Sequence, residues 1–81
     1  MGVKDLRYKL GYTQEELMRV ADMSDNTIRK LEQDYREIYN VSDDLILKLL
    51  DVFNCTIQEL LAPDTQKYKR IDAYNRKKLD R

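Results

Sequence analysis

Residues 13–32 read TQEELMRVADMSDNTIRKLE, and this stretch decides the fold. Thr13 stands three residues before Glu16. The Thr hydroxyl can accept from the Glu16 N–H while the Glu carboxylate accepts from the Thr13 N–H, so a helix begins here. Leu17, Met18 and Ala21 then recur at helical spacing and give that helix a buried face. Asp22-Met23-Ser24 interrupts the run, because Asp tolerates left-handed backbone, Met23 returns to the core and Ser24 is a good N-cap. The spacing predicts two short helices joined by a tight turn.

The second helix, 24–33, carries the functional signal. At about 100° per residue, Asp25, Asn26, Arg29, Lys30 and Gln33 fall within an arc of about 140°. Thr27, Ile28, Leu31 and Glu32 share the opposite side. One face is core, and the other is a row of hydrogen-bonding groups suited to base edges in a major groove. An ordinary solvated amphipathic helix carries the same pattern, so the helix alone leaves both readings open.

Further segments sharpen the choice. GYTQEEL at the first helix start, S-x-x-T-I-x-x-L-E in the second helix and LILKLLDVFNCTIQELL further on resemble the Cro and phage-repressor type of helix-turn-helix, the XRE family. The resemblance covers about Leu6 to Leu61 and implies an all-α, compact five-helix bundle that binds double-stranded DNA as a homodimer, with 24–33 as recognition helix. Asp25, Asn26, Arg29 and Lys30 are the expected base contacts. Thr13, Gln14, Thr27, Tyr35 and Arg36 are expected at phosphates, Gln14 by the resemblance and Tyr35-Arg36 as an aromatic-basic pair just after the reading helix. The resemblance also implies an ion pair between Arg7 and Glu32. Three departures stand out: Met18 where a small residue is common, Asp22 in place of a turn Gly, and no E-N-G-x-R-x-P after the recognition helix.

Composition bounds the rest. A chain of 81 residues with two Gly, one Pro and 37% charged residues suits one small helical domain. The absence of His and the single Cys exclude the usual zinc frameworks and an internal disulfide. No metal, cofactor or catalytic residue is expected, since no Ser or Cys has a recognisable base at a motif spacing. Cys55, between Phe53 and Ile57, reads as a small buried hydrophobe. No apolar run approaches the ~20 residues of a membrane span and no signal peptide is evident, so a cytoplasmic protein without membrane contact is expected.

Charge is unevenly spread. Residues 1–62 hold 8 Lys/Arg against 12 Asp/Glu, and residues 63–81 hold 7 against 3. The expected organisation is a helix-turn-helix domain over 1–62 and a basic C-terminal tail or extra helix over 63–81. For the tail a frayed helix and a disordered arm are both open, and its Lys/Arg interleaved with Tyr suit phosphate contacts.

Along the rest of the chain, Val3, Leu6 and Leu10 form an apolar stripe ending at Gly11. Residues 33–41 lack periodicity and read as a loop. Its apolar Ile38, Tyr39 and Val41 suit either the core or a second subunit. Ser42 caps a fourth helix whose apolar share is wider than one core face requires, which makes it a candidate dimer surface. Thr56 and Glu59 spell a second capping box for a fifth helix. A sequence-specific DNA-binding regulator, a repressor, is the leading expectation. The acidic domain and the apolar 38–50 surface keep open a protein-interaction module on the same fold, such as an antitoxin or antirepressor component with a protein partner.

Overall fold

The structure, a computed structural model, describes residues 2–79, with side chains through residue 77. Among them are five α-helices and no strand: α1 Val3–Leu10, α2 Gln14–Ala21, α3 Asp25–Gln33, α4 Asp43–Phe53 and α5 Gln66–Leu79. Short 3-10 turns lie at Tyr35–Tyr39 and Ile57–Glu59.

The helix starts follow local chemistry. The Thr13 N–H donates to Glu16 Oε1 (2.9 Å) and the Glu16 N–H to Thr13 Oγ1 (3.0 Å), the reciprocal arrangement read from the sequence. Ser24 Oγ accepts from Thr27 N–H and Ser42 Oγ from Leu45 N–H, both at 3.2 Å. Three helices end in left-handed backbone. Gly11 has φ 77°, and the chain closes with Tyr12 N–H on the Arg7 carbonyl (3.1 Å). Asp22 (φ 52°) and Asn54 (φ 50°) adopt the same conformation with a Cβ, which only Asn and Asp accept at modest cost. Asp22 therefore fills the turn where Gly is usual, and its carboxylate lies 3.5 Å from Lys48 Nζ. Met18 is accommodated because it is half-buried at the rim of the core.

Leu17, Ile28, Ile46, Leu49, Leu61 and Ile71 are the largest side chains wholly removed from water. They come from α2, α3, α4, the segment after the second 3-10 turn, and α5, and with Val3 and Leu6 of α1 they form one core that joins all five helices.

Three expectations change. Leu10 is 46% exposed, and on α1 the inner face is Val3, Leu6 and the charged Arg7 instead. Residues 35–39 form a 3-10 turn rather than an irregular loop, and Ile38 (4% exposed) pins it to the core. The fifth helix expected after Thr56 is only a three-residue 3-10 turn, and the Thr56 side chain makes no capping bond. The fifth α-helix is the tail. Thr65 Oγ1 accepts from Tyr68 N–H (3.2 Å) to start it, and Ile71, with Tyr68, packs against the core. That helix packs against α4, while Leu45, Leu47 and Val52 of α4 stay half-buried.

Candidate nucleic-acid interface

The turn between α2 and α3 fixes where α3 points. Ile28 and Leu31 are buried and anchor the inner side of α3, so Asp25, Asn26, Arg29 and Lys30 are left exposed together on the outer side. Thr27 lies at the margin, half-buried, with its hydroxyl 2.8 Å from Ser24 Oγ. A shallow groove runs beside this face, walled by Asn26, Thr27 and Lys30 on α3 and by Glu37, Asn40 and Ser42 across from them.

The inner end of α3 is held by charge. Arg7 Nε donates to Glu32 Oε2 (2.6 Å) and Arg7 Nη2 to Glu32 Oε1 (3.1 Å), with side-chain exposures of 8% and 6%. Arg7 Nη1 donates to the Tyr12 carbonyl (2.9 Å), and Gln14 Nε2 donates to Glu32 Oε1 (2.9 Å). The guanidinium carbon also sits 4.6 Å from the centroid of the Tyr8 ring. α1, the start of α2 and the end of α3 thus meet at one carboxylate. Burial works to raise the Glu32 pKa, but hydrogen bonds from Arg7 and Gln14 outweigh it and hold it below the usual carboxylate range. The bond to Glu32 holds Arg7 above its ordinary value against burial. The Gln14 amide, assigned to phosphate by the resemblance, is here a member of this cluster.

Just beyond α3, Tyr35 is 75% exposed. Arg36 is exposed as well, but it is not alone: Nε donates to Asp34 Oδ1 and Nη2 to Asp34 Oδ2, both at 3.1 Å. On α3, Arg29 Nη2 lies 2.8 Å from Asp25 Oδ2. Lys30 is the one cation of this face that makes no ion pair among the described residues. Asp34 was missed by the sequence reading, although its place two residues before Arg36 was a visible signal.

The tail's cations are also partly committed. Arg70 reaches Asp43 through Nε (2.5 Å) and Nη2 (2.9 Å), and Lys67 Nζ lies 3.2 Å from Asp43 while donating to the Val41 carbonyl. The bond from Arg70 and that from Lys67 hold the Asp43 carboxyl well below its ordinary pKa. Tyr39 Oη accepts from Ala62 N–H (2.8 Å), so the turn after α3 is tied to the approach to α5. Cys55 is half-buried and its thiol is pushed up to about 11 by burial and then by the Glu59 charge, which leaves it protonated near neutrality.

Two tight-turned helices, an anchored inner face and an outward row of hydrogen-bonding side chains correspond to a known sequence family. A profile described as Helix-turn-helix matches residues 3–60. The chain belongs to the XRE-type helix-turn-helix family. The family match ends before α5, which lies outside the matched residues. A relative, the HTH-type transcriptional regulator ImmR of Bacillus subtilis (strain 168), is 34% identical over 62 residues, covering 76% of this chain and 46% of that protein. The chain therefore spans about half the length of the curated relative it matches. No solved structure matches it. Among the described residues no helix is long and apolar enough to cross a membrane.

Proposed function

We propose that this helix-turn-helix protein is a sequence-specific DNA-binding transcriptional regulator, a repressor, that lays α3 in the major groove. The carrying observation is the exposed cluster Asp25, Asn26, Arg29 and Lys30 on a helix whose opposite side is locked by Ile28, Leu31 and the Arg7–Glu32 pair. Asn26 suits adenine, Lys30 and Arg29 suit guanine, and Asp25 is acceptable only beside a cytosine amino group. Thr13, the Gln14 backbone, Thr27, Tyr35 and Arg36 flank the reading face and serve the phosphates. One short helix reads few base pairs, so the protein acts as a homodimer on a pseudo-palindrome with half-sites about 34 Å apart. It works in the cytoplasm and needs no cofactor.

Selection of binding sites from random duplexes tests the reading. Asn26→Ala relaxes preference at one base pair per half-site, at a loss of about 1–3 kcal/mol of discrimination, and Asp25→Asn changes the preferred base. If neither substitution alters the selected sequence, α3 does not read bases. A second reading, a protein-binding module, draws on the absence of net positive charge on the face, where Asp25, Asp34 and Glu37 balance Arg29, Lys30 and Arg36. A gel shift with the selected duplex separates the two, because a protein-binding module retards no duplex.

A further inference from the structure

Arg36 and Asp34 stand immediately after the reading helix, and both are accessible, with side-chain exposures of 74% and 36%. The pair uses the Nε and Nη2 edge of the guanidinium against both oxygens of one carboxylate. A DNA phosphate is bound by the same two-pronged geometry. With only Tyr35 between them in the chain, the pair forms without ordering any distant segment. An exposed ion pair of this kind does little for folding. Its effect falls on the charge that the face presents.

We infer that Asp34 is an affinity-limiting residue of the DNA interface, occupying the guanidinium edge of Arg36 that a phosphate would otherwise take. The inference rests on the DNA-binding reading above. A phosphate approaching Arg36 meets a neutral pair and must displace the carboxylate, so this cation serves the DNA backbone more weakly than an unpaired arginine would. Asp25 stands in the same relation to Arg29 on α3. The consequence is a low floor of affinity for random DNA, above which base contacts by Asn26 and Lys30 decide occupancy. The effect acts on all sequences alike, because phosphate contacts carry no base information.

Asp34→Asn is the informative variant, since Asn keeps an acceptor for the Arg36 backbone N–H that Asp34 Oδ1 now caps (3.0 Å). Fluorescence anisotropy over a salt series compares wild type, D34N, R36A, D34N/R36A and D72N on the selected duplex and on random duplex. D34N is expected to tighten both by about three- to tenfold and to steepen the log–log salt slope by about 0.9. D34N/R36A binds like R36A. D72N, which removes an equal charge from a pair with Arg76 on α5, stays within about twofold of wild type. An unchanged D34N, or a gain that persists without Arg36, overturns the inference. Elution from heparin tests the same exchange without DNA: D34N elutes at higher salt than wild type, and D34N/R36A with R36A. Loss of that shift with duplex binding intact overturns the inference alone, whereas a heparin shift with no variant binding any duplex overturns the DNA reading and the inference with it.

Discussion

Replacing Glu32 by Leu tests what holds α3 in place. The carboxylate accepts three hydrogen bonds, two from Arg7 and one from Gln14, in a pocket where both charged side chains are under a tenth exposed. Its removal leaves the Arg7 guanidinium with the Tyr12 carbonyl as its remaining hydrogen-bond acceptor. Breaking a buried pair by deleting one partner costs about 3–5 kcal/mol, because a charge is left without compensation. In a chain of this size 1 kcal/mol moves the melting temperature by about 4–8 °C, so E32L should melt about 12 °C or more below wild type. Arg7→Met strands the carboxylate instead and costs a similar amount. The double variant replaces both charges by apolar groups of similar bulk and should be more stable than either single one, with a coupling energy of about 2 kcal/mol or more. Thermal melts followed by circular dichroism at one pH supply all four corners of the cycle. Additive losses in the double variant would refute the reasoning. The pair also predicts acid sensitivity with a definite sign. Glu32 has its pKa lowered in the folded state, so its contribution is complete above the unfolded carboxylate value near 4.3 and is lost as pH falls through the folded one.

Glu16, Asp34 and Asp43 are shifted in the same direction, so urea midpoints should be flat from about pH 6 to 8, where no His titrates, and should fall below about pH 4. A midpoint that rises on acidification would contradict these shifts. Asp22→Gly relieves a left-handed residue that carries a Cβ and should stabilise by about 1 kcal/mol or less, offset by loss of the exposed Lys48 contact; a destabilised variant would mean that Asp22 does more than turn the chain. Ile71→Ala should cost about 2–4 kcal/mol, since that side chain is 1% exposed, and chemical denaturation would show an unchanged midpoint if α5 were not part of the core. Cys55 should react slowly with a disulfide reagent in the native protein and quickly in denaturant, and fast native modification would exclude the protonated, half-buried thiol.

The helix starts were legible because their chemistry is local: Thr13 with Glu16, Ser24 with Thr27 and Ser42 with Leu45 are each three residues apart. The same rule misfired at Thr56, where T-x-x-E is present but no helix follows. The chain leaves the helical path after Glu59, and Pro63 follows shortly. Helical spacing placed Leu10 inside α1 because it counts Arg7 as polar. The partner that lets Arg7 be buried stands at Glu32 on another helix, so its pairing came from family resemblance and not from periodicity. The wide apolar face of α4 and the sparse apolar residues of the tail were each ambiguous alone. Part of each meets in one α4–α5 contact, which does not follow until Ile71 is set against the core.

The outward row of α3 was legible for a similar local reason, since a helix of known period with Ile28 and Leu31 inside must turn Asp25, Asn26, Arg29 and Lys30 outward. Counting formal charges could not say which cations remain available to a phosphate. Asp25 and Asp34 neutralise the two arginines of the face over separations of four and two residues, and Asp43 draws Lys67 and Arg70 of the tail inward. Lys67 and Arg70 of the tail thus serve the acidic α4 terminus, whereas Lys69 and Lys77 are exposed and make no ion pair among the described residues. An interface built in this way attracts DNA weakly at long range, because neutralised pairs add little to the field that steers a polyanion. Under the proposed function its discrimination must then come from short-range groups, Asn26 and Lys30 above all, carried on a helix whose C-terminal half the buried Arg7–Glu32 pair holds to α1.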